Sequence, residues 1–228
     1  MTARSSLSAV AAALTEGHRL VDLSGEVRPG VMYPDGRYRW GEVRSGRRFE
    51  LRQWISMGGH VQSFVDTGSH VGTHVDMPCH IHEGARAPDG KPLAAADMPL
   101  EVFFGEAVVV DVGGVGTVEP THVAKARPGD IVLLWSRRSG REQPRVSTEA
   151  ARFLADLPIR MVGVQNVVVP YDPHVVFLGK EGAPIPIVEE LEHCEELRHE
   201  RVLYFGLPMR VAHLEASWIR AVAFEPKE

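Results

Sequence analysis

The thirteen residues from His70 to His82, HVGTHVDMPCHIH, hold four histidines and one aspartate, alternating with Val71, Thr73, Val75, Met77, Cys79 and Ile81. In an extended strand successive side chains point to opposite faces, so His70, His74, Asp76, His80 and His82 share one face while an apolar set covers the other. Imidazole nitrogens beside a carboxylate oxygen suit zinc, manganese or iron, and three such ligands leave positions open for water, as a catalytic site requires. A structural site would use four ligands, usually with thiolates, and Cys79 has the wrong parity to join the histidine face. Solvated surface histidines are the plain alternative; the combined spacing and alternation argue against it.

A helix is the competing conformation, because His70 and His74 stand four apart as in HExxH metalloproteases. Pro78 would break such a helix, Gly72 weakens it, and Asp76 would lie well around the cylinder from both histidines. A strand is therefore expected. A straight strand, however, separates the Cα atoms of His70 and His74 by roughly 13 Å, which strains chelation of one ion. Gly72 is where the bend is expected, and Pro78 ends regular pairing soon after Asp76. Thr73 faces the packed side, where its hydroxyl needs a partner. His82 lies beyond the proline break and reads as an outer-shell or exposed histidine; His60, after Gly58 and Gly59, reads as a strand-entry residue.

The run His70, Gly72, Thr73, His74, Asp76, Pro78, His80 resembles the HxGTHxDxPxH signature of the cyclase family that includes bacterial kynurenine formamidases and isatin hydrolases. The resemblance continues in DLS at Asp22 to Ser24, YPDG at Tyr33 to Gly36, VVVDV at Val108 to Val112 and GDIVLLW at Gly129 to Trp135. DPHVVFLGK at Asp172 to Lys180 is similar to the family's segment bearing a further metal-binding histidine, and IVEEL at Ile187 to Leu191 to its glutamate segment. GLP at Gly206 to Pro208 and RAV at Arg220 to Val222 match the closing strands. Carried over, the resemblance implies His70, His74 and Asp76 on one metal, with Asp76 bridging to a second held by His174 and Glu189. The neighbouring Glu190 is the rival of Glu189. It further implies His80 as the proton shuttle, a swivelling β/β/α fold and an oligomeric, here homodimeric, assembly. Taken alone, His174 is an ordinary helix residue behind an Asp172 N-cap and a Pro173 at the first helical position.

Two departures from the family pattern stand out. Tyr33 precedes Pro34 where formamidases tend to carry a tryptophan, which makes Tyr33 a candidate substrate-binding residue in an altered aromatic wall. Gly163, Val164, Gln165, Asn166 stand where the family often reads GxD, so an acidic group is missing.

The chemistry follows from the residue types. A metal lowers the pKa of water from 15.7 towards about 7 and polarises a carbonyl oxygen. His80, with an ordinary pKa of about 6.5, can accept a proton from the nucleophile and return it to a leaving nitrogen. The expected function is metal-dependent hydrolysis of a small cyclic or aryl amide, with one or two Zn2+ or Mn2+ ions per chain. The alternative keeps the same site for a biosynthetic cyclisation, dehydration or lactone opening. A noncatalytic metal-binding protein is the third reading, and His80 exceeds what binding alone needs.

The whole-chain figures suit a metabolic enzyme. The 228 residues, 44% hydrophobic and 24% charged, can bury one good core, and one domain over residues 1–228 is the expectation. A formal charge of −5 offers no basic surface for nucleic acid. No apolar stretch reaches the roughly eighteen residues a membrane span needs, and two cysteines, Cys79 and Cys194, read as free thiols of a cytoplasmic protein.

The elements that must position these groups are mostly strands. Ser5 or Ser6 can cap a helix through Thr15, and residues 24–48 form a long loop in which Tyr33 and Trp40 can line the pocket. Strands are expected at Phe49 to Ser56, His60 to Val65, Ala107 to Val112, Ile131 to Trp135, Ile159 to Val164, Val202 to Phe205 and Ile219 to Phe224. Ser147 can cap a helix running to about Leu157, and a second helix follows Pro173. Trp54, Phe103 and Phe104 are expected in the core. The sum is a β-rich α+β fold with a barrel-like core and a small-molecule substrate.

Overall fold

The computed structural model describes residues 8–12, 14, 16–27 and 49–227. Tyr33 and Trp40 lie outside the described residues, as does the start of the expected N-terminal helix; residues 8–12 are helical. The strands run β1 His18–Asp22, β2 Phe49–Ile55, β3 Val61–Thr67, β4 His74–Asp76, β5 Phe104–Asp111, β6 Thr117–Val118, β7 Ile131–Trp135 and β8 Arg145–Val146. They continue as β9 Met161–Gln165, β10 Ile187–Glu189, β11 Arg201–Phe205, β12 Ala216–Trp218 and β13 Val222–Pro226. Among the described residues two further helices, α1 Thr148–Asp156 and α2 Tyr171–Leu178, pack on them. No helix among the described residues is long and apolar enough to cross a membrane.

Nine strands form one sheet in the order β1-β13-β11-β5-β7-β9-β10-β4-β12. The centre, β5 to β10, is parallel, and the flanks are antiparallel. The sheet curls until its ends nearly meet. β12, at one edge, passes into β13, next to the other edge, through residues 219–221. The Leu23 N–H donates to Ala221 O at 2.9 Å and the Glu192 N–H to Leu23 O at 3.0 Å across the seam. The barrel-like expectation is met by this half-barrel.

Period-2 alternation in the valine-rich strands feeds two separate cores. Ala107, Ile131, Leu133, Met161 and Val188 point inward with Val75, Met77, Phe103 and Tyr204. Val108, Val132, Leu134, Val162 and Ile187 point outward, where Leu154 of α1 and Phe177 of α2 cover them. Both faces are therefore dry, which explains why these segments read as continuous apolar runs.

The helix ends follow local chemistry. Ser147 caps α1 as expected, its Oγ accepting from the Ala150 N–H at 3.0 Å, with Glu149 near the positive end. α2 corrects the expected cap: Pro170, in extended conformation, is the N-cap, and Asp172 and Pro173 lie inside the first turn. Proline is tolerated there because the first N–H groups of a helix have no intrahelical acceptor.

Three further expectations are corrected. The stretch Ile219 to Phe224 is not one strand: residues 219–221 are the corner between β12 and β13, and Val222 to Phe224 belong to β13, since both flanks are apolar and periodicity cannot show which neighbours they pair with. Trp54 is not core: it is 48% exposed on the β2–β3 hairpin, which among the described residues forms a sheet of its own. Phe103 is fully buried and Phe104 stacks on Phe205 at 5.6 Å. The strand expected in the histidine run, bent at Gly72 and ended by Pro78, is also shorter than expected: pairing is limited to the three-residue β4, between a bend at 69–73 and a 3-10 turn at Pro78–His80.

Gly72 makes that bend, with φ +70°, and a Cβ there would stand 2.3 Å from Val27 Cγ2. Thr73, buried as expected, donates its hydroxyl to Glu190 O at 2.7 Å and accepts the Gly25 N–H at 3.2 Å. At the opposite edge the buried Glu225 carboxylate accepts from Arg19 Nε at 2.8 Å, the Arg198 N–H at 2.8 Å and the His199 N–H at 3.2 Å, fastening β1 and the approach to β11 onto β13.

Gly72→Ala is expected to destabilise the chain by about 1–3 kcal/mol through backbone strain and the Val27 contact, measured by urea unfolding. For Glu225, burial alone would raise the pKa, but its hydrogen bonds from Arg198, Arg19 and His199 hold it below the ordinary value. A depressed native pKa stabilises above the unfolded value of about 4.3 and is lost as pH falls through the native one. Glu225→Gln should therefore cost on the order of 1–3 kcal/mol at pH 7. The difference from the parent chain should vanish in acid-side unfolding curves.

Candidate metal centre

Three adjacent strands form the floor of the site. In β4 His74 and Asp76 face one side and Val75 the other; register sets Glu189 of β10 and Trp218 of β12 beside His74. This side is the outer one, under α2, so the fourth residue of that helix, His174, reaches down onto the sheet. The bend at Gly72 swings His70 back over β4, and the 3-10 turn after Met77 returns His80 to the same side. The rings of His70 and His74 meet at 4.8 Å, nearly perpendicular, and those of His70 and His80 at 4.4 Å.

His70 Nδ1, His74 Nε2 and Asp76 Oδ1 lie 3.0, 3.1 and 3.4 Å apart. Ligands at about 2.0–2.1 Å from a tetrahedral ion stand about 3.3 Å from one another, so these three atoms have the spacing of one face of a coordination shell. On the other carboxylate oxygen, Asp76 Oδ2 is 3.7 Å from His174 Nε2 and 3.8 Å from His80 Nε2. Glu189 spans the pair, with Oε2 3.8 Å from His74 Nε2 and Oε1 3.7 Å from His174 Nε2. Among the described residues, ligand atoms also lie within 4.8 Å of one another in His70, Asp76 and His80, and in His74, Asp76 and Glu189.

Tautomers follow from carbonyl partners. His74 Nδ1 lies 2.7 Å from Gly72 O, and His174 Nδ1 lies 3.0 Å from Pro170 O. A carbonyl only accepts, so each Nδ1 carries the proton and each neutral ring turns the lone pair of Nε2 to the centre. Asp76 Oδ1 is buried and accepts no well-formed hydrogen bond, an arrangement that is costly for a carboxylate unless a cation is near. The donor set thus fits a divalent cation.

The electrostatics match. Burial alone would raise the Asp76 pKa, but the His174 and His70 imidazoles, with the charge of His74, hold its carboxyl well below the usual carboxylate range. Burial pushes the His80 imidazole below its ordinary value, with the Asp76 charge opposing and His70 and His174 reinforcing. His80 is also the most open of the four centre histidines, its side chain 31% exposed.

The structure gathers His70, His74, Asp76, His80, His174 and Glu189 in one place. Glu190, the rival of Glu189, takes φ +57° and turns the chain after β10. His82 is exposed, and His60 precedes β3. Gln165, at the position of the missing acid, accepts the Cys194 N–H at 2.7 Å and donates to Glu195 at 2.7 Å, fixing the turn after β10. Glu215, which the sequence did not single out, stands with Oε1 3.6 Å from His70 Nε2. It is remote from the histidine run along the chain, and no local pattern marks it.

The family model "Cyclase", described as "Putative cyclase", matches residues 21–169. No curated protein matches the chain. The fold is similar to isatin hydrolase A from Labrenzia aggregata bound to benzyl benzoate, at TM-score 0.77 and 21% identity over 97% of this chain and 100% of that one. It is similar to an isatin hydrolase bound to the product analogue thioisatinate, at TM-score 0.76 and 17% identity over 100% of both chains. It also resembles a "potential metal-dependent hydrolase with cyclase activity", at TM-score 0.69 and 20% identity over 92% of this chain and 100% of that one. With the model covering most of its length and the histidine run inside that match, the chain belongs to the cyclase family.

Proposed function

We propose that this protein is a metal-dependent hydrolase that opens or cleaves a small cyclic or aryl amide. The observation that carries the reading is the triangle of His70 Nδ1, His74 Nε2 and Asp76 Oδ1, built around a buried carboxylate oxygen with no hydrogen bond of its own. These three residues would hold a first Zn2+ or Mn2+ ion, and His174 and Glu189, with Asp76, would hold a second. A bound ion supplies acidified water and a polarised carbonyl.

The protein's own groups do the rest. His80 is partly open and biased by burial towards its neutral form, so its free nitrogen accepts the proton released by the nucleophile and returns it to the leaving nitrogen. Asp76 stays ionised and keeps the surrounding imidazoles in place. The backbone carbonyls of Gly72 and Pro170 hold His74 and His174 so that neither ring turns during turnover. Isatin hydrolases among the similar solved structures are in keeping with a lactam substrate, and a formylated arylamine is the other member of the class. Tyr33 remains the proposed substrate contact.

A homodimer in a cytoplasmic setting completes the proposal. Leu51, Ile55, Val61 and Val65 share one face of the β2–β3 hairpin and are 41%, 73%, 66% and 44% exposed. A lone two-stranded hairpin is marginal in water, which supports a second copy as its cover.

Elemental analysis of the purified protein, with N-formylkynurenine and isatin turnover followed before and after chelation, tests the reading. One to two zinc or manganese ions per chain with chelator-sensitive turnover is expected; turnover of neither substrate by metal-loaded protein would turn the assignment towards cyclisation, dehydration or lactone opening. His80→Gln should lose about 10²- to 10⁴-fold in kcat and keep its metal. Val61→Lys should yield monomers in sedimentation analysis.

A further inference from the structure

His74 and His174 owe their orientation to backbone carbonyls, but His70 is mounted the other way round. Its Nδ1 faces the centre, and its Nε2 lies 3.6 Å from Glu215 Oε1. His70 also sits on the bend at 69–73 and not in a strand, so the sheet does not dictate where its ring points. Glu215 is well placed to do so. It immediately precedes β12, and its carbonyl accepts the Met77 N–H at 2.9 Å, which ties its backbone to the residue following β4. The Ser69 hydroxyl donates to the same Oε1 at 2.5 Å, holding the carboxylate against the residue next to His70.

We propose that Glu215 is the positioning residue for His70: its carboxylate, held by Ser69, accepts the proton on Nε2 and thereby leaves the lone pair on Nδ1, directed at Asp76 and His74. A movement of about 0.7 Å closes the contact to an ordinary hydrogen-bond length. A carboxylate behind an imidazole fixes its tautomer and makes it a stronger ligand. The inference rests on the metal reading above. It deepens that reading by tying the orientation of His70 to the residue that leads into β12.

Cobalt(II) binding to the metal-stripped full-length chain tests it, with affinity measured against a competing chelator, ligand-field absorption recorded, and thermal unfolding of the metal-free protein as control. Glu215→Ala should weaken cobalt binding by about 10- to 100-fold while the metal-free unfolding midpoint stays at the parent value. Glu215→Gln, which keeps an acceptor for Nε2 but no charge, should fall between the two. Parent affinity and an unchanged absorption band in Glu215→Ala would overturn the assignment, as would a weakening matched by loss of metal-free stability. If the alanine variant does not fold, Glu215→Gln carries the test, and parent affinity there overturns it. A parent chain that takes up no cobalt defeats the metal reading itself, which separates that failure from failure of the Glu215 assignment alone.

Discussion

A carboxylate taken out of water among imidazoles is the constraint around which the rest is arranged. Asp76 is 1% exposed, and an ionised group so placed is tolerated only when its oxygens are met by compensating charge or donors. The fold meets it from four directions: the bend brings His70, β4 itself brings His74, α2 brings His174 and the 3-10 turn brings His80. Each of these pieces is short, and none would place its side chain correctly without the others. The three-residue β4 is held between β10 and β12, so its register, and with it the direction of Asp76, is fixed from both sides.

The curled sheet makes this possible. Because the parallel centre is dry on both faces, the outer face can carry α1 and α2 over most of its area and open to a polar site only where β4 and β10 emerge from beneath α2. The inner face is filled by Met77, Phe103, Tyr204 and their neighbours. A packed interior of this kind deforms little, which suits ligands that must hold their separations within tenths of an ångström.

Orientation of the rings is a second layer of design. Carbonyls at Gly72 and Pro170 select the tautomers of His74 and His174, and the Gly72 carbonyl is available because the same residue takes the left-handed conformation that makes the bend. One glycine thus serves both the path of the chain and the protonation state of a neighbouring ring.

Much of the site was legible in the residues alone. The histidine run, the parity that excluded Cys79, the need for a bend at Gly72, the break at Pro78 and the Ser147 cap all follow from local stereochemistry, which a sequence records directly. His174 and Glu189 came from the family resemblance, since neither has a local signature. Tertiary structure decided the rest. It limited the paired strand to His74–Asp76, because sheet neighbours and not side-chain alternation determine how far pairing extends. It made residues 219–221 the link from β12 to β13, left Trp54 exposed, and brought Glu215 to His70. These outcomes depend on contacts between residues far apart in the chain, and periodicity carries no information about which distant segment will be the neighbour.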